Sequence, residues 1–274
     1  MDNTNSQSYI EADKLYDYAC GQAGLMPPQN DTTGRGEARR LQRAYREIKR
    51  CHEEISRRYG SLPSPPAACE WLLDNYYMIE REYRAVFGTI NAARRLRRCE
   101  DETLAGALCR SMLRAGGGEI TEQRFRLYME GFQSVTVLRR AELDIFPAAL
   151  RAALIRAIAA VCGKMRYAAE TGEHAAAFEA LFTTLRLFSV LDAEKLINSA
   201  DVTNAVLAAD PSGEYGNMDA GTRLSYLRRV EKLARREGLE EHVYARRLIK
   251  KAKADGRHVG FYLFPETAGR WAGL

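Results

Sequence analysis

Apolar residues recur at steps of three and four along most of this 274-residue chain, the spacing that places side chains on one face of an α-helix. The clearest such stripe comprises Leu72, Tyr76, Ile79, Tyr83, Val86 and Ile90. Strong helix formers dominate long stretches, and there are only eight prolines. The sequence therefore predicts an all-α fold, a multi-helix bundle of antiparallel helix pairs with about nine to eleven helices.

Breaker residues and capping residues set the expected helix boundaries. The predicted helices are Glu37–Tyr59, Pro66–Arg98, Glu102–Arg114, Glu122–Phe132, Val135–Asp144, Phe146–Ala169, His174–Leu191, Ala193–Ala209, Ala220–Glu237 and Leu239–Ala254. Thr121 and Asp219 are expected to cap the helices that follow them. The stretch Phe146–Gly163 is apolar nearly all round, which is typical of a central buried helix.

The same boundaries predict the domain organisation. Residues 1–34 are expected to be a loosely ordered N-terminal segment, 35–264 a single helical domain, and 265–274 a tail or cut linker. Within the N-terminal segment, Ile10–Ala23 could form a short helix. A short apolar run, His258–Phe264, could form a strand near the C-terminus. No stretch is expected to span a membrane, because Arg151 and Arg156 interrupt the most apolar one.

The sequence lacks the usual signatures of catalysis. The four histidines show no metal-binding spacing, the six cysteines form no CxxC pair, and no phosphate-binding glycine motif is present. Glu70 and Asp74 share a helix face about 5.4 Å apart and could act as acid and base, but like charges at this spacing are common on solvated faces. We therefore expect no catalytic residue, no cofactor and no metal in this chain.

Positive charge is concentrated near the C-terminus. Between Arg223 and Arg257 there are twelve Lys or Arg residues against five acids. Arg246, Arg247, Lys250 and Lys251 are the candidate contacts to an anionic surface. A solvated helix face, an anionic membrane and an acidic partner protein are all compatible with this pattern. Nucleic acid is disfavoured, because no recognition motif or aromatic-interleaved basic patch accompanies the charge.

Three stretches together resemble a known family. They are Glu70–Glu80 (EWLLDNYYMIE), Leu138–Ile155, and a third set with Asp210-Pro211, Tyr215, Met218-Asp219, Thr222-Arg223, Tyr226 and His258–Leu263. Their order and spacing resemble the N-terminal helical region of cyclic β-1,2-glucan synthases, which are large multidomain bacterial membrane glycosyltransferases. The family-motif residues, taken as structural, are Trp71, Asp74, Asn75, Asp219, Thr222, Arg223 and His258.

The resemblance implies a non-catalytic region that supports or docks the membrane glycosyltransferase, whose reaction is UDP-glucose-dependent β-1,2-glucan synthesis. It implies the remaining domains of a larger parent protein as partners. It also implies a position at the cytoplasmic face of the inner membrane. A free-standing helical protein-interaction module is the alternative, and an independent carbohydrate-active enzyme is a weaker third hypothesis.

Overall fold

The computed structural model describes residues 9–61, 64–167, 171–190 and 193–265. These residues form thirteen helices and three short strands. In chain order the elements are α1 (Ala12–Leu25), β1 (Gln29–Thr32), α2 (Arg35–Tyr59), α3 (Ala67–Ala92), β2 (Leu96–Cys99), β3 (Glu102–Thr103), α4 (Leu104–Ala115), α5 (Glu122–Val135), α6 (Arg140–Tyr167), α7 (Gly172–Val190), α8 (Ala193–Ala200), α9 (Val202–Leu207), α10 (Glu214–Asn217), α11 (Ala220–Arg236), α12 (Glu241–Asp255) and α13 (Gly260–Leu263). The predicted fold class, dominated by helices, is confirmed.

Two compact units account for the packing. The N-terminal unit contains the described residues up to Thr136 and those from Asp144 to Ala193. The C-terminal unit contains Val137–Leu143 and the described residues from Glu194 onward. Whether residues 35–264 fold as the single domain that we expected stays a prediction, because a division by contacts does not measure cooperative unfolding.

The short helix expected at Ile10–Ala23 is confirmed as α1. The loose ordering expected of residues 1–34 stays a prediction, and residues 1–8 lie outside the described part. Helix α1 packs closely on α5, where a side chain at Gly131 would place its Cβ 2.4 Å from the carbonyl oxygen of Tyr16. The Arg124 guanidinium donates to the carbonyl oxygens of Ile10, at 2.7 Å, and Ala115, at 2.9 Å. These contacts hold the segment against the N-terminal unit.

A small antiparallel sheet, in the order β1-β2-β3, replaces the predicted C-terminal end of the helix that was expected to reach Arg98. Helix α3 ends at Ala92, and Leu96 pairs with Thr32 while Cys99 pairs with Glu102. The strands are short, β1 is entirely polar, and β2 has two consecutive arginines, so the sequence shows no alternation of apolar and polar residues there. Pairing with β1, which is distant in sequence, decides this structure.

Helix α6 is continuous, although two helices were predicted on either side of Ile145. Pro147 lies inside it, so the helix forgoes one backbone hydrogen bond. The predicted central burial is confirmed, since Leu154, Ile155 and Ile158 are each fully buried.

By length and composition Arg140–Met165 could cross a membrane, with a mean hydropathy of 1.8, contrary to our expectation. However, 72% of its apolar window is buried. Two of its arginines pair inside the N-terminal unit: Arg151 lies 3.4 Å from Glu82, and Arg156 lies 3.2 Å from Glu37. These are properties of a core helix.

The C-terminal unit has its own apolar core. Its fully buried members include Leu207, Tyr215, Val230, Ala245 and Leu263. The predicted helix Ala193–Ala209 is divided at Asp201, which caps α9 through the backbone N–H of Asn204 at 3.0 Å.

The predicted strand at His258–Phe264 is wrong, because this run contains the short helix α13. Val259, Gly260 and Leu263 are buried there, so the run packs on helices rather than pairing with a strand. The predicted tail, apart from Pro265, lies outside the described residues.

Candidate functional site

A buried polar network lies in the C-terminal unit. Its residues belong to the third of the three stretches that carry the family resemblance. Asp210 Oδ2 accepts a hydrogen bond from His258 Nδ1 at 2.6 Å, and its Oδ1 accepts from the backbone N–H of Val259 at 2.8 Å. On the other side of the ring, the Tyr226 hydroxyl lies 3.0 Å from His258 Nε2. The Asp210 side chain is 0% exposed. The network therefore ties the loop before α10, helix α11 and the start of α13 together.

This network resembles a catalytic triad in composition but not in geometry. In such a triad the serine contacts Nε2 while the aspartate contacts Nδ1. Here the Ser212 hydroxyl donates to the Asp210 carboxylate and lies 3.1 Å from Nδ1, the same nitrogen that Asp210 contacts. Tyr226 occupies the Nε2 side, so the ring has no position from which to activate Ser212.

The protonation of Tyr226 agrees with a structural role. Burial raises the pKa of its hydroxyl to about 12, so the phenol stays neutral near pH 7. With a proton on Nδ1, the His258 ring donates to Asp210 and accepts from the Tyr226 hydroxyl at Nε2. Every member of the chain is thereby satisfied, as buried polar groups require.

Gly260 is required by the close approach of these side chains. A Cβ there would lie 2.5 Å from the Tyr226 hydroxyl oxygen and 2.9 Å from His258 Nε2. Any side chain at this position would separate the tyrosine from the histidine, which explains the sequence His258-Val259-Gly260 in physical terms.

The other residues of the third stretch act at the start of α11. Asp219 accepts from the Thr222 backbone N–H at 3.0 Å and from the Thr222 hydroxyl at 2.6 Å, which confirms the predicted cap. These hydrogen bonds lower the pKa of the exposed Asp219 carboxyl. Arg223, one residue further on, is half-buried.

The first resembling stretch lies on α3 in the N-terminal unit. Trp71 is half-buried and stacks on Phe182, with ring centroids 6.2 Å apart. The buried Asn75 amide donates to the Trp71 carbonyl oxygen at 2.9 Å and accepts from Arg186 at 3.2 Å. By contrast, Asp74 is exposed.

The predicted carboxylate pair is not placed for catalysis. Glu70 and Asp74 are both exposed on the surface of α3. A cavity of the N-terminal unit, lined by Glu37, Thr103 and Arg156 but by neither of these carboxylates, has a volume of about 10 Å³. That is about the room of one water molecule, too little for a sugar or a nucleotide.

Replacing Trp71 with alanine is expected to lower the free energy of unfolding by about 2–3 kcal/mol, at or just below the range of about 3–5 kcal/mol for large buried aromatics, because the ring stays partly exposed. Chemical denaturation followed by circular dichroism measures this change. Tyr77→Ala is the matched control on the same helix, because its ring is 64% exposed and its loss should cost about 0.5 kcal/mol or less. Equal effects of the two substitutions would show that Trp71 does not anchor the stretch.

A second buried cluster in the C-terminal unit was not predicted. Glu241, at the start of α12, accepts from the Arg140 backbone N–H at 2.8 Å. The Arg140 guanidinium lies 3.0 Å from Asp201 Oδ2, with both side chains buried. Burial raises the pKa of Glu241 to about 7, and the neighbouring Glu231 and Asp201 add to the rise. Burial also raises the pKa of Asp201.

From Val243 to Ala254 the exposed charged residues of α12 are all basic, and the exposed Asp255 follows at the end of the helix. Its exposed cations are Arg246, Arg247, Lys250, Lys251 and Lys253. Ala245, Leu248 and Ala252 face the core instead, so the helix separates its apolar and its charged residues. No acid occurs between His242 and Ala254, and within the described part of the chain none of the five cations forms an ion pair. All four predicted surface contacts lie on this face.

Within the described residues no group of three or more His, Cys, Asp or Glu side chains is placed to hold a metal ion. No protein-family model matches the chain, and no curated protein matches it. The resemblance to the glucan synthase N-terminal region therefore stays a prediction that rests on the residues given above.

Proposed function

We propose that this chain is a non-catalytic helical region, resembling the N-terminal region of a cyclic β-1,2-glucan synthase, that docks on an anionic membrane surface through α12. In this proposal it supports the membrane glycosyltransferase part of a larger parent protein at the cytoplasmic face of the inner membrane. The region neither binds UDP-glucose nor transfers glucose itself.

The basic face of α12 carries the proposal. Surfaces of globular proteins usually intersperse both signs of charge, whereas this helix exposes five cations and no acid over three turns. Each Lys or Arg close to an anionic leaflet contributes about 1 kcal/mol of binding. Several such residues on one rigid face can therefore hold the region on a membrane without a lipid-specific pocket.

The buried groups support a non-catalytic role. His258 and Asp210 are engaged with each other and are inaccessible to a substrate, and Tyr226 is held neutral by burial. Glu70 and Asp74 are exposed on the surface of α3, and neither lines the small cavity of the N-terminal unit. The exposed groups of the C-terminal unit on which this proposal rests are the cationic side chains of α12.

A free-standing protein-interaction module is the second candidate, because the same basic face suits an acidic partner protein. An acidic partner would present its charges in one arrangement, so single substitutions on α12 would differ in effect. A fluid lipid surface rearranges, and the same substitutions would act nearly equally.

Charge reversal tests the proposal. The variant with Arg246, Arg247, Lys250 and Lys251 each changed to glutamate should lose binding to vesicles that contain phosphatidylserine, with unchanged helix content. The matched control reverses Lys49, Arg50, Arg57 and Arg58, which are exposed cations on α2 and alter the net charge by the same amount. Equal loss in both variants would mean that total charge, not the α12 face, drives the interaction.

A further inference from the structure

Two aromatic rings lie at the C-terminal edge of the basic face of α12, and a cation lies over each of them. The Arg257 guanidinium carbon lies 4.4 Å from the centroid of the Phe261 ring, and the Lys251 ammonium lies 4.7 Å from that of Tyr262. Both cations are exposed and both rings are half-exposed. Phe261 and Tyr262 also contact each other edge to face at 5.4 Å.

The chain at this edge is held by contacts to α11, although it lies in a four-residue helix. Arg229 of α11 donates to the Leu263 carbonyl oxygen at 2.7 Å. The Phe264 ring packs edge-on against Tyr226 at 5.0 Å, and Leu263 is fully buried. The rings are therefore already positioned beside the cations before binding. Less conformational entropy is lost when they bind.

We propose that Phe261 and Tyr262, with Arg257 and Lys251, form an insertion edge that enters the headgroup layer of an anionic bilayer. This inference rests on the proposed function and adds an apolar contribution to it. Aromatic rings favour the boundary between headgroups and acyl chains, while Lys and Arg reach the phosphates above it. A surface bound by charge alone would release completely in high salt, whereas an inserted ring keeps part of the binding.

A single-stranded nucleic acid fits this edge less well. Base stacking needs a free ring face. One face of Phe261 is covered by Arg257, Lys251 covers one face of Tyr262, and Tyr262 also packs against the core. The single acid between residues 242 and 265, Asp255, accepts from the Tyr262 hydroxyl, so it is engaged within the edge.

The depth of residue 261 in the bilayer is a direct test of the insertion, and fluorescence quenching measures it. In the full chain, Phe261→Trp should show fluorescence quenching by brominated lipids in phosphatidylserine vesicles beyond that of the wild-type protein. Tyr59→Trp is the matched control, because Tyr59 also lies under a cation, Arg58 at 5.2 Å, but outside the C-terminal unit. It should show no excess quenching. Vesicle binding by the wild type without excess quenching in Phe261→Trp would overturn the insertion edge while leaving the proposed function intact.

Salt dependence gives a second readout. At about 1 M salt, where the screening length is about 3 Å, wild-type binding should persist weakly, and Phe261→Ser should bind on the order of tenfold more weakly. Phe261→Leu, which keeps an apolar side chain, should retain most of the residual binding. Equal residual binding by all three proteins would overturn the inference. Tighter binding of the wild type to single-stranded DNA than to the vesicles would overturn both the edge and the proposed function.

Discussion

Replacing Asp210 with alanine is expected to cost about 1–3 kcal/mol of folding free energy for each of the two buried donors that it leaves without an acceptor. The substitution removes the acceptor for His258 Nδ1 and for the Val259 backbone N–H at once. Urea denaturation measures the loss. Hydrogen exchange at the Val259 amide should accelerate in parallel, because that N–H loses its acceptor, Asp210 Oδ1.

Two further variants distinguish the loss of this buried network from a general sensitivity of the fold to substitution. Asp210→Asn keeps an acceptor for the Val259 N–H, and its amide can donate to Nδ1 if the His258 proton moves to Nε2. It should therefore lose much less than Asp210→Ala. Asp219→Ala, which removes the exposed cap of α11, should also lose much less. Similar losses in Asp210→Ala and Asp219→Ala would contradict the buried network.

Replacing Glu241 with glutamine is expected to stabilise the protein at alkaline pH. Burial raises the pKa of Glu241 from 4.5 to about 7, so the folded state binds this proton more tightly than the unfolded state does. The stabilisation is fully present below about pH 4.5, declines as the pH rises, and is lost above about pH 7. The difference between these limits is about 3 kcal/mol.

The comparison of variants isolates this group. Glutamine keeps an oxygen for the Arg140 N–H without the buried charge, so the wild type should fall below Glu241→Gln at about pH 8.5 and approach it at about pH 5. Glu240→Gln is the control, because that neighbouring side chain is 39% exposed and pairs with Arg139 at the surface. Denaturation curves at both pH values provide the test. A pH-independent gap between wild type and Glu241→Gln would show that Glu241 stays ionised in the fold.

Much of the helical fold follows from local sequence signals. The 3.6-residue periodicity predicts α2 and most of α3, and hydroxyl or carboxyl caps mark the starts of α5 and α11. The apolar stretch of α6 predicts the central helix, because a helix without a polar face has to be buried. These signals are local, so a single sequence contains them.

The missed features depend on partners far away in the chain. β2 forms because it pairs with β1, where Arg98 lies opposite Gln29. Neither segment has a sequence pattern that predicts this pairing. The break at Asp201 and the burial of Glu241 both depend on Arg140, about 60 and 100 residues away.

The candidate sites divide in the same way. The cationic face of α12 could be predicted, since charge and helical spacing are visible in the sequence. The network of Asp210, Tyr226 and His258 could not, because it joins three segments that only the fold brings together. The family resemblance pointed to His258, but it did not indicate which atoms the imidazole ring contacts.

Co-sedimentation of the full chain with lipid vesicles is the most direct test of the proposed docking. At about 0.1 M salt, where the screening length is about 10 Å, the account predicts binding to phosphatidylserine vesicles and none to neutral phosphatidylcholine vesicles. Most of that binding should be lost at about 1 M salt. Failure to bind the anionic vesicles at low salt, together with tight binding to duplex DNA, would contradict membrane docking and assign the basic face to nucleic acid.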